Sequence, residues 1–463
     1  MQSNPAARTN AGENLLRVLV FTLIISVMNA SMFNVVLPVI SKQFELAPSQ
    51  VSWIVTSYMI VYAIGSVTFG KLADKYRLKD LLTFGLLFFA AGSVVGLAAT
   101  EYWMIIVGRI LQATGASVIP ATAMIVPVRY FSPEKRGRAL GTVAVGLALG
   151  TAIGPIVSGF VTSVASWRFL FAISIFALFT LPYYRKYLDD EKGNAAKIDF
   201  IGGGLLAGTV AFMLLAITQQ NGWLFIAGAV LLALFLLRIR YAAEPFVNPA
   251  IFRNKQYSFG LAVAFVMTGL SFGIPFMTPQ LLSTVNQMSP AFIGFVMFPG
   301  AIMSAVMGRK GGKLADEKGN PFLVFTAASL IFAGFLSLSS VVGMSPVIIA
   351  VFLILGNVGQ TFMQIAMSNT ISRTLSKEQV GVGMGMFSML NFISGATATA
   401  LIGKTLDFGA VSHWNPLQHN SAAYVYSNIF LTLAVLVMVV TTFYYMQFGG
   451  AARKLRAERN VAQ

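Results

Sequence analysis

From residue 15 to residue 447 the chain is a succession of apolar runs separated by short charged segments. A helix needs roughly 20 apolar residues to cross the hydrocarbon core of a bilayer, and in lipid the backbone must satisfy its own polar groups. These runs are far longer than the ~10 alternating residues of a barrel strand, so they read as helices. Fourteen can be read, at 15–41, 50–70, 81–100, 103–129, 139–162, 167–185, 199–218, 222–240, 257–283, 290–308, 321–341, 345–371, 379–405 and 422–447. Composition agrees, with 56% of residues hydrophobic and 10% charged, where a soluble domain carries about 25% charged residues. The expected fold class is an all-α membrane protein with 14 transmembrane helices.

The basic residues give an orientation. Of the 32 Lys and Arg residues, Arg109 lies inside a run and Lys42, Arg168 and Lys404 lie on one side, while the rest collect on the other. That asymmetry places both termini in the cytoplasm of a multi-pass cell-membrane protein. The net charge of +16 is therefore read as topology and contact with anionic lipid, not as a nucleic-acid surface. The first run is long and is not followed by a small-residue cleavage site, so no signal peptide is expected.

Several functions are disfavoured outright. The chain has no Cys, and its two His residues, His413 and His419, share one loop. Neither a metal centre nor a cofactor is expected, and an enzyme is not expected. The expected partner is the lipid bilayer, with no nucleic acid, and a monomer is expected.

One short pattern occurs twice, as Gly70-Lys71-Leu72-Ala73-Asp74-Lys75 and as Gly312-Lys313-Leu314-Ala315-Asp316-Glu317. Each copy follows one run and precedes the next, as a charged hairpin would. Setting runs seven and eight aside as an insertion brings the copies to equivalent places in two six-helix bundles. The expected organisation is a tail at 1–14, a first bundle at 15–185, a linker with two extra helices at 186–256, a second bundle at 257–447 and a basic tail at 448–463. Doubled membrane proteins of this kind are usually transporters with the substrate site between the halves. The extra helices carry almost no polar residue at mid-span, which suits a peripheral position between the halves.

Other features stand out along the runs. Arg109, within Gly108-Arg109-Ile110-Leu111-Gln112, is an intramembrane charge, costly to bury and therefore a functional candidate. The fifth run carries Gly146, Gly150, Gly154, Pro155 and Gly159, a spacing that lets a neighbouring backbone approach closely. Pro155 should kink it.

Taken together, Gly70 to Asp80, Arg109 with Gln112 and Gly115, the Gly150–Gly159 array, and Asn34 with Leu37-Pro38 resemble the motifs of the major facilitator superfamily, in particular its fourteen-helix drug/proton antiporter branch. Phe298-Pro299-Gly300, the Gly312–Asp316 repeat and Met389-Leu390-Asn391-Phe392 are similar to Gram-positive tetracycline efflux proteins. The resemblance implies export of small amphiphilic compounds, drugs or tetracyclines, by alternating access with proton exchange, in a bacterial cell membrane. The first hairpin departs from the family pattern, with Arg77 where Gly is usual and Asp80 where a basic residue is common.

A larger departure concerns carboxylates. Ala30, Thr151 and Gly395 or Ala396 stand near the positions where those tetracycline exporters place acids, and none of the 16 acidic residues is expected at mid-membrane. The expected substrate-binding residues are Asn29, Asn34, Tyr58, Tyr62, Arg109, Gln112, Gln360, Gln364 and Asn391. Gating is expected of Gly70, Asp74, Lys75, Arg77, Asp316, Gly150, Gly154 and Pro155. A neutral or positive site would prefer neutral, zwitterionic or anionic amphiphiles. The alternatives are transport of such substrates, or of lipid-like ones, without classical proton antiport, and a non-transporting sensor on the same fold.

Overall fold

The structure, a computed structural model, describes residues 5–190, 199–376 and 379–461, with side chains over 12–132, 135–190, 199–376 and 379–446. Part of the linker expected from Arg185 to Lys197, the Lys377-Glu378 pair and the side chains of the basic tail lie outside the described residues. All regular structure among the described residues is helical. Among the described residues, thirteen helices are long and apolar enough to cross a membrane. The chain divides into two compact units, the first running to Pro249 and including Ser289–Phe295, the second made of Ala250–Met288 and the residues from Val296 onward.

The first unit contains α1 (Pro5–Gln43), α2 (Pro48–Ala73), α3 (Leu78–Leu97), α4 (Tyr102–Ala116), α5 (Val118–Tyr130), α6 (Pro133–Val164), α7 (Phe169–Ile175), α8 (Leu181–Tyr187), α9 (Phe200–Gln219) and α10 (Gly222–Tyr241). Pro48 and Pro133 open α2 and α6, where a missing N–H costs nothing and φ is already helical. The expected fourth span is broken at Ser117, between α4 and α5. Pro120, three residues on, cannot donate to the preceding turn and its ring crowds that turn's carbonyl.

The expected sixth span differs more. It is α7, a 3₁₀ stretch over Phe176–Thr180, and α8. Pro182 explains the break, since it supplies no amide N–H, and a tighter 3₁₀ turn precedes it. The three join end to end into one helical stretch over 169–187, the sixth of the fourteen expected helices, and the other thirteen runs each meet the length and hydropathy of a span among the described residues.

Small residues set the packing. A Cβ on Gly92 would stand 2.5 Å from the Gly108 carbonyl oxygen, and one on Gly108 would stand 3.0 Å from that of Gly92, so α3 and α4 touch backbone to backbone. The α6 array meets α1 as its spacing implies: Gly146 faces Val20, Gly150 faces Ile24 and Val27, and Gly154 faces Ser31. The inserted helices belong to the first unit, where α9 packs on α2. In α10 only Gly228 and Phe235 are buried, and Trp223, Phe225 and Leu236 are exposed, as an apolar helix facing lipid requires.

The second unit holds α11 (Lys255–Thr284), all but the first turn of α12 (Pro290–Lys318), α13 (Asn320–Val341), α14 (Pro346–Arg373), α15 (Val380–Phe408) and α16 (Tyr424–Val461). It repeats the glycine device: a Cβ on Gly334 of α13 would lie 2.9 Å from the backbone nitrogen of Gly356 on α14. The repeated charged pattern is not all loop. Gly70–Ala73 forms the last turn of α2, and Gly312–Glu317 lies wholly inside α12, which turns only at Gly319, where φ is 86°. The helix runs on to Lys318, and Gly319 then accepts the left-handed turn at no steric cost.

Candidate functional site

The first unit encloses one cation. Arg109 on α4 is fully buried. Its Nε donates to the Ile54 carbonyl at 3.2 Å, and its Nη1 donates to Asn29 Oδ1 at 2.8 Å and to Gln112 Oε1 at 3.1 Å. The guanidinium carbon lies 4.3 Å from the Phe33 ring centroid and 4.0 Å from that of Tyr58. Nη2 has no hydrogen-bond partner. Burying a charge without a counter-ion is costly, and here three neutral acceptors and two aromatic faces offset that cost.

A second layer fixes these partners. Asn29 Nδ2 donates to Ser174 Oγ on α7 at 2.6 Å, so its carbonyl oxygen is left to face the arginine. Gln112 Nε2 donates to Ser93 Oγ on α3 at 2.9 Å, and Ser93 Oγ donates to the Phe89 carbonyl at 2.8 Å. Five helices thus meet at one guanidinium. Tyr58 stacks on Tyr62 with ring centroids 5.7 Å apart. Of the expected binding residues, Asn29, Tyr58, Tyr62, Arg109 and Gln112 come together. Asn34 is buried on α1 but does not join the hydrogen bonds around Arg109. Phe33, Ser93 and Ser174 were not anticipated; a polar residue inside an apolar run was the available signal for the serines.

In the second unit, Asn391 on α15 is buried, and its Oδ1 accepts from Thr268 Oγ1 on α11 at 3.1 Å. Gln360 is half-buried and Gln364 exposed, both on α14. These three do not form a shared hydrogen-bond network among the described residues.

The first charged pattern is tied to its surroundings through its basic residues. Lys71 Nζ donates to the Pro245 and Phe246 carbonyls, each at 3.2 Å, and lies 5.6 Å from the Phe246 ring centroid. Arg77 pairs with Asp190 at 3.4 Å, and Lys79 pairs with the same carboxylate. The Lys79 ammonium, hydrogen-bonded to it, holds Asp190 below the usual carboxylate range. Asp74, one of the expected gating residues, ends α2 and is exposed, as Lys75 is. Gly70 has open space where a Cβ would stand. Asp316 is exposed, and in that second copy the ion pair is Lys313 with Glu317 at 3.5 Å. Pro155 is buried within α6, just past the point where Gly154 meets Ser31.

Asp199 forms a separate junction. Its Oδ1 accepts from the Gly202 N–H at 3.0 Å, capping α9, and from Arg238 Nε at 3.0 Å, while its Oδ2 accepts from the Phe246 N–H at 3.2 Å. Burial alone would raise its pKa, but the Gly202 N–H, Arg238 and the Phe246 N–H together hold it below the usual range. The linker after α10 is therefore gripped twice, by Asp199 and by Lys71. Among the described side chains, no carboxylate sits in the middle of a spanning helix: Glu13, Asp80, Asp316, Glu317 and Asp407 all lie close to the ends of their spans.

An all-helical protein of two units, with thirteen spanning helices and a buried polar cluster, has the architecture of a polytopic membrane transporter. The chain belongs to the Major Facilitator Superfamily, whose family model matches residues 19–399. It is 24% identical to the riboflavin transporter RibZ of Clostridioides difficile (strain 630), over 90% of this chain and 94% of that one. It is 28% identical to multidrug resistance protein 3 of Bacillus subtilis (strain 168), over 62% of this chain and 59% of that one. Among solved structures it resembles the nucleoside transporter NupG, with a TM-score of 0.69 at 12% identity over 94% of this chain and 99% of that one. It also resembles a human organic anion transporter, with a TM-score of 0.58 at 15% identity over 95% of this chain and 100% of that one.

Proposed function

We propose that this transporter exports small amphiphilic compounds by alternating access, and that it prefers neutral, zwitterionic or anionic substrates to lipophilic cations. The observation that carries the reading is the Arg109 cluster: a buried guanidinium with a free Nη2 arm, surrounded by neutral groups and aromatic rings. A polar oxygen or an anion on a substrate would complete that arm, whereas a cation would be repelled. The names of two relatives, a multidrug resistance protein and a riboflavin transporter, are consistent with amphiphilic cargo. Tetracyclines fall within this class.

Gating is assigned in this reading to Gly70, Asp74, Lys75 and Arg77, to Asp316, and to the Gly150, Gly154 and Pro155 stretch of α6. Both termini are placed in the cytoplasm, and the protein acts as a monomer. Proton exchange, where it occurs, runs through acids near the span ends such as Asp407 or Asp74, or through a substrate carboxylate.

The test is efflux from proteoliposomes with and without an imposed pH gradient, using tetracycline, ethidium and an anionic dye. Faster movement of tetracycline or the anionic dye than of ethidium supports the reading. Ethidium transport that outpaces both and collapses with a proton ionophore overturns it.

A further inference from the structure

The first unit contains a slot of about 470 Å³ between α2, α4 and α9, on a different face of α2 from the arginine cluster. It lies within the range of small-molecule sites, roughly 300–1,000 Å³. Along α2 it runs from Ser49 to Val61, about 18 Å at the rise of an α-helix. Its lining is graded along that length. Ser49, Gln50, Tyr102, Thr218 and Gln219 stand at the helix ends, where the α1–α2, α3–α4 and α9–α10 loops begin. Ile60, Val61, Ile110 and Ala211 line the far end, and Ile110 is 37% exposed, so the slot opens on the outer surface of the unit.

Most polar groups here are already occupied. Trp53 Nε1 donates to Thr218 Oγ1 at 3.2 Å, Thr218 Oγ1 donates to the Leu214 carbonyl at 2.9 Å, and the Tyr102 hydroxyl donates to the Gln50 carbonyl at 2.6 Å. Among the buried lining groups Ser57 is the exception. It is 6% exposed, lines the slot halfway down, and its Oγ has no partner. Serines and threonines in helices commonly donate to a carbonyl three or four residues back, as Ser52, Ser66 and Thr68 of the same helix do. A buried hydroxyl that does neither is expensive unless something else meets it.

We propose that the slot binds a neutral, single-chain amphiphile drawn from the surrounding bilayer. Its polar head lies at the Gln50 and Gln219 end, its chain lies along Ile60 and Ile110, and an oxygen near the head accepts from Ser57. Neutrality follows from the lining, which carries no charged side chain to balance an ionic head. Membrane origin follows from the opening on an apolar surface. The site stands apart from the Arg109 cluster and does not depend on what the protein transports.

The test is photolabelling of the full-length protein in nanodiscs with a diazirine-bearing monoacylglycerol, whose head and ester carbonyl supply separate oxygens for the Gln50 end and for Ser57, the modified peptides being mapped by mass spectrometry. Diazirine-bearing fatty acid and alkylamine probes serve as charged comparators. The expected result is saturable labelling at Trp53, Ile60, Ile106 or Leu215, displaced by unlabelled monoacylglycerol and at least severalfold stronger than with either charged probe. Ser57→Ala should weaken it about two- to tenfold, the range one neutral hydrogen bond supplies. Leu215→Trp, which fills the slot, should abolish it, with thermal melting used to verify folding of both variants. The proposal is overturned by labelling that never saturates, that spreads over lipid-facing residues such as Trp223 and Leu236, or that is as strong with the charged probes. Competition in the unmodified protein decides the matter if either variant fails to fold.

Discussion

Arg109 Nη1 donates to Asn29 Oδ1 at 2.8 Å, joining α4 to α1 through two fully buried side chains. The bond is directed, because Ser174 occupies the Asn29 amide nitrogen and leaves only the oxygen for the arginine. Removing the Asn29 side chain would leave that Nη1 N–H only the long 3.5 Å contact to the residue 29 backbone carbonyl, beside the already free Nη2. Asn29→Ala should therefore cost about 1–3 kcal/mol. Thermal unfolding in detergent would measure this, and a melting temperature equal to the parent's would refute it.

Arg109→Lys tests the shape of the charge. An ammonium is a point charge and cannot bond Ile54, Asn29 and Gln112 while stacking between Phe33 and Tyr58. Substrate efflux from proteoliposomes should fall about tenfold or more, equivalent to about 1.4 kcal/mol or more. Parent-level rates in the lysine variant would show that charge alone suffices.

The α3–α4 contact predicts a sharp steric rule. Gly92→Ala places a methyl group 2.5 Å from the Gly108 oxygen and 2.6 Å from the Gln112 nitrogen, both backbone atoms that cannot move aside cheaply. Overpacking of this kind costs about 1–3 kcal/mol. Gly204→Ala on α9 meets nothing within 4 Å and should leave stability unchanged or slightly higher. Comparing folded yield and melting temperature of the two variants checks the difference.

Asp199 predicts a pH dependence. Its folded-state pKa is depressed, so its charge stabilises the α9–α10 junction at and above its unfolded value, about 3.9. That contribution disappears as pH falls through the lower folded value. Hydrogen exchange at Gly202 and Phe246 should accelerate in the parent below about pH 4. Asp199→Ala should show the fast rates already at pH 7, and slow exchange there would sink the assignment.

Lys71 holds the linker after α10 by two carbonyl bonds. Lys71→Ala should cost about 1 kcal/mol, a charged hydrogen bond discounted for partial solvent exposure. Proteolysis between residues 242 and 248 should quicken in the variant, and unchanged cleavage would place the linker's hold on Asp199 alone.

How much of this was legible beforehand depended on the range of the interaction. The apolar runs announced the helices because burial in lipid acts on each segment separately. The Gly146–Gly154 array announced that α6 would accept a close neighbour, since spacing fixes the face. It could not say that the neighbour was α1. The sixth run illustrates the limit on regular structure: its hydropathy is that of a span, yet Pro182 breaks the hydrogen-bond ladder and the helix divides. The repeated charged pattern suggested hairpins, but helix propensity carried the second copy straight through Glu317 to a turn at Gly319.

The all-helical membrane class, the glycine-rich faces and the lack of an acid at mid-span among the described side chains all follow from residue type and period. The partners of the polar side chains came from packing. Arg109 bonds Asn29 across 80 positions, Trp53 bonds Thr218 across 165, and Asp74, prominent in its motif, stands exposed while Lys71 makes the contacts. The physical reason is that periodicity tells which face of a helix is buried, whereas the identity of the facing helix is set by how all of them pack at once.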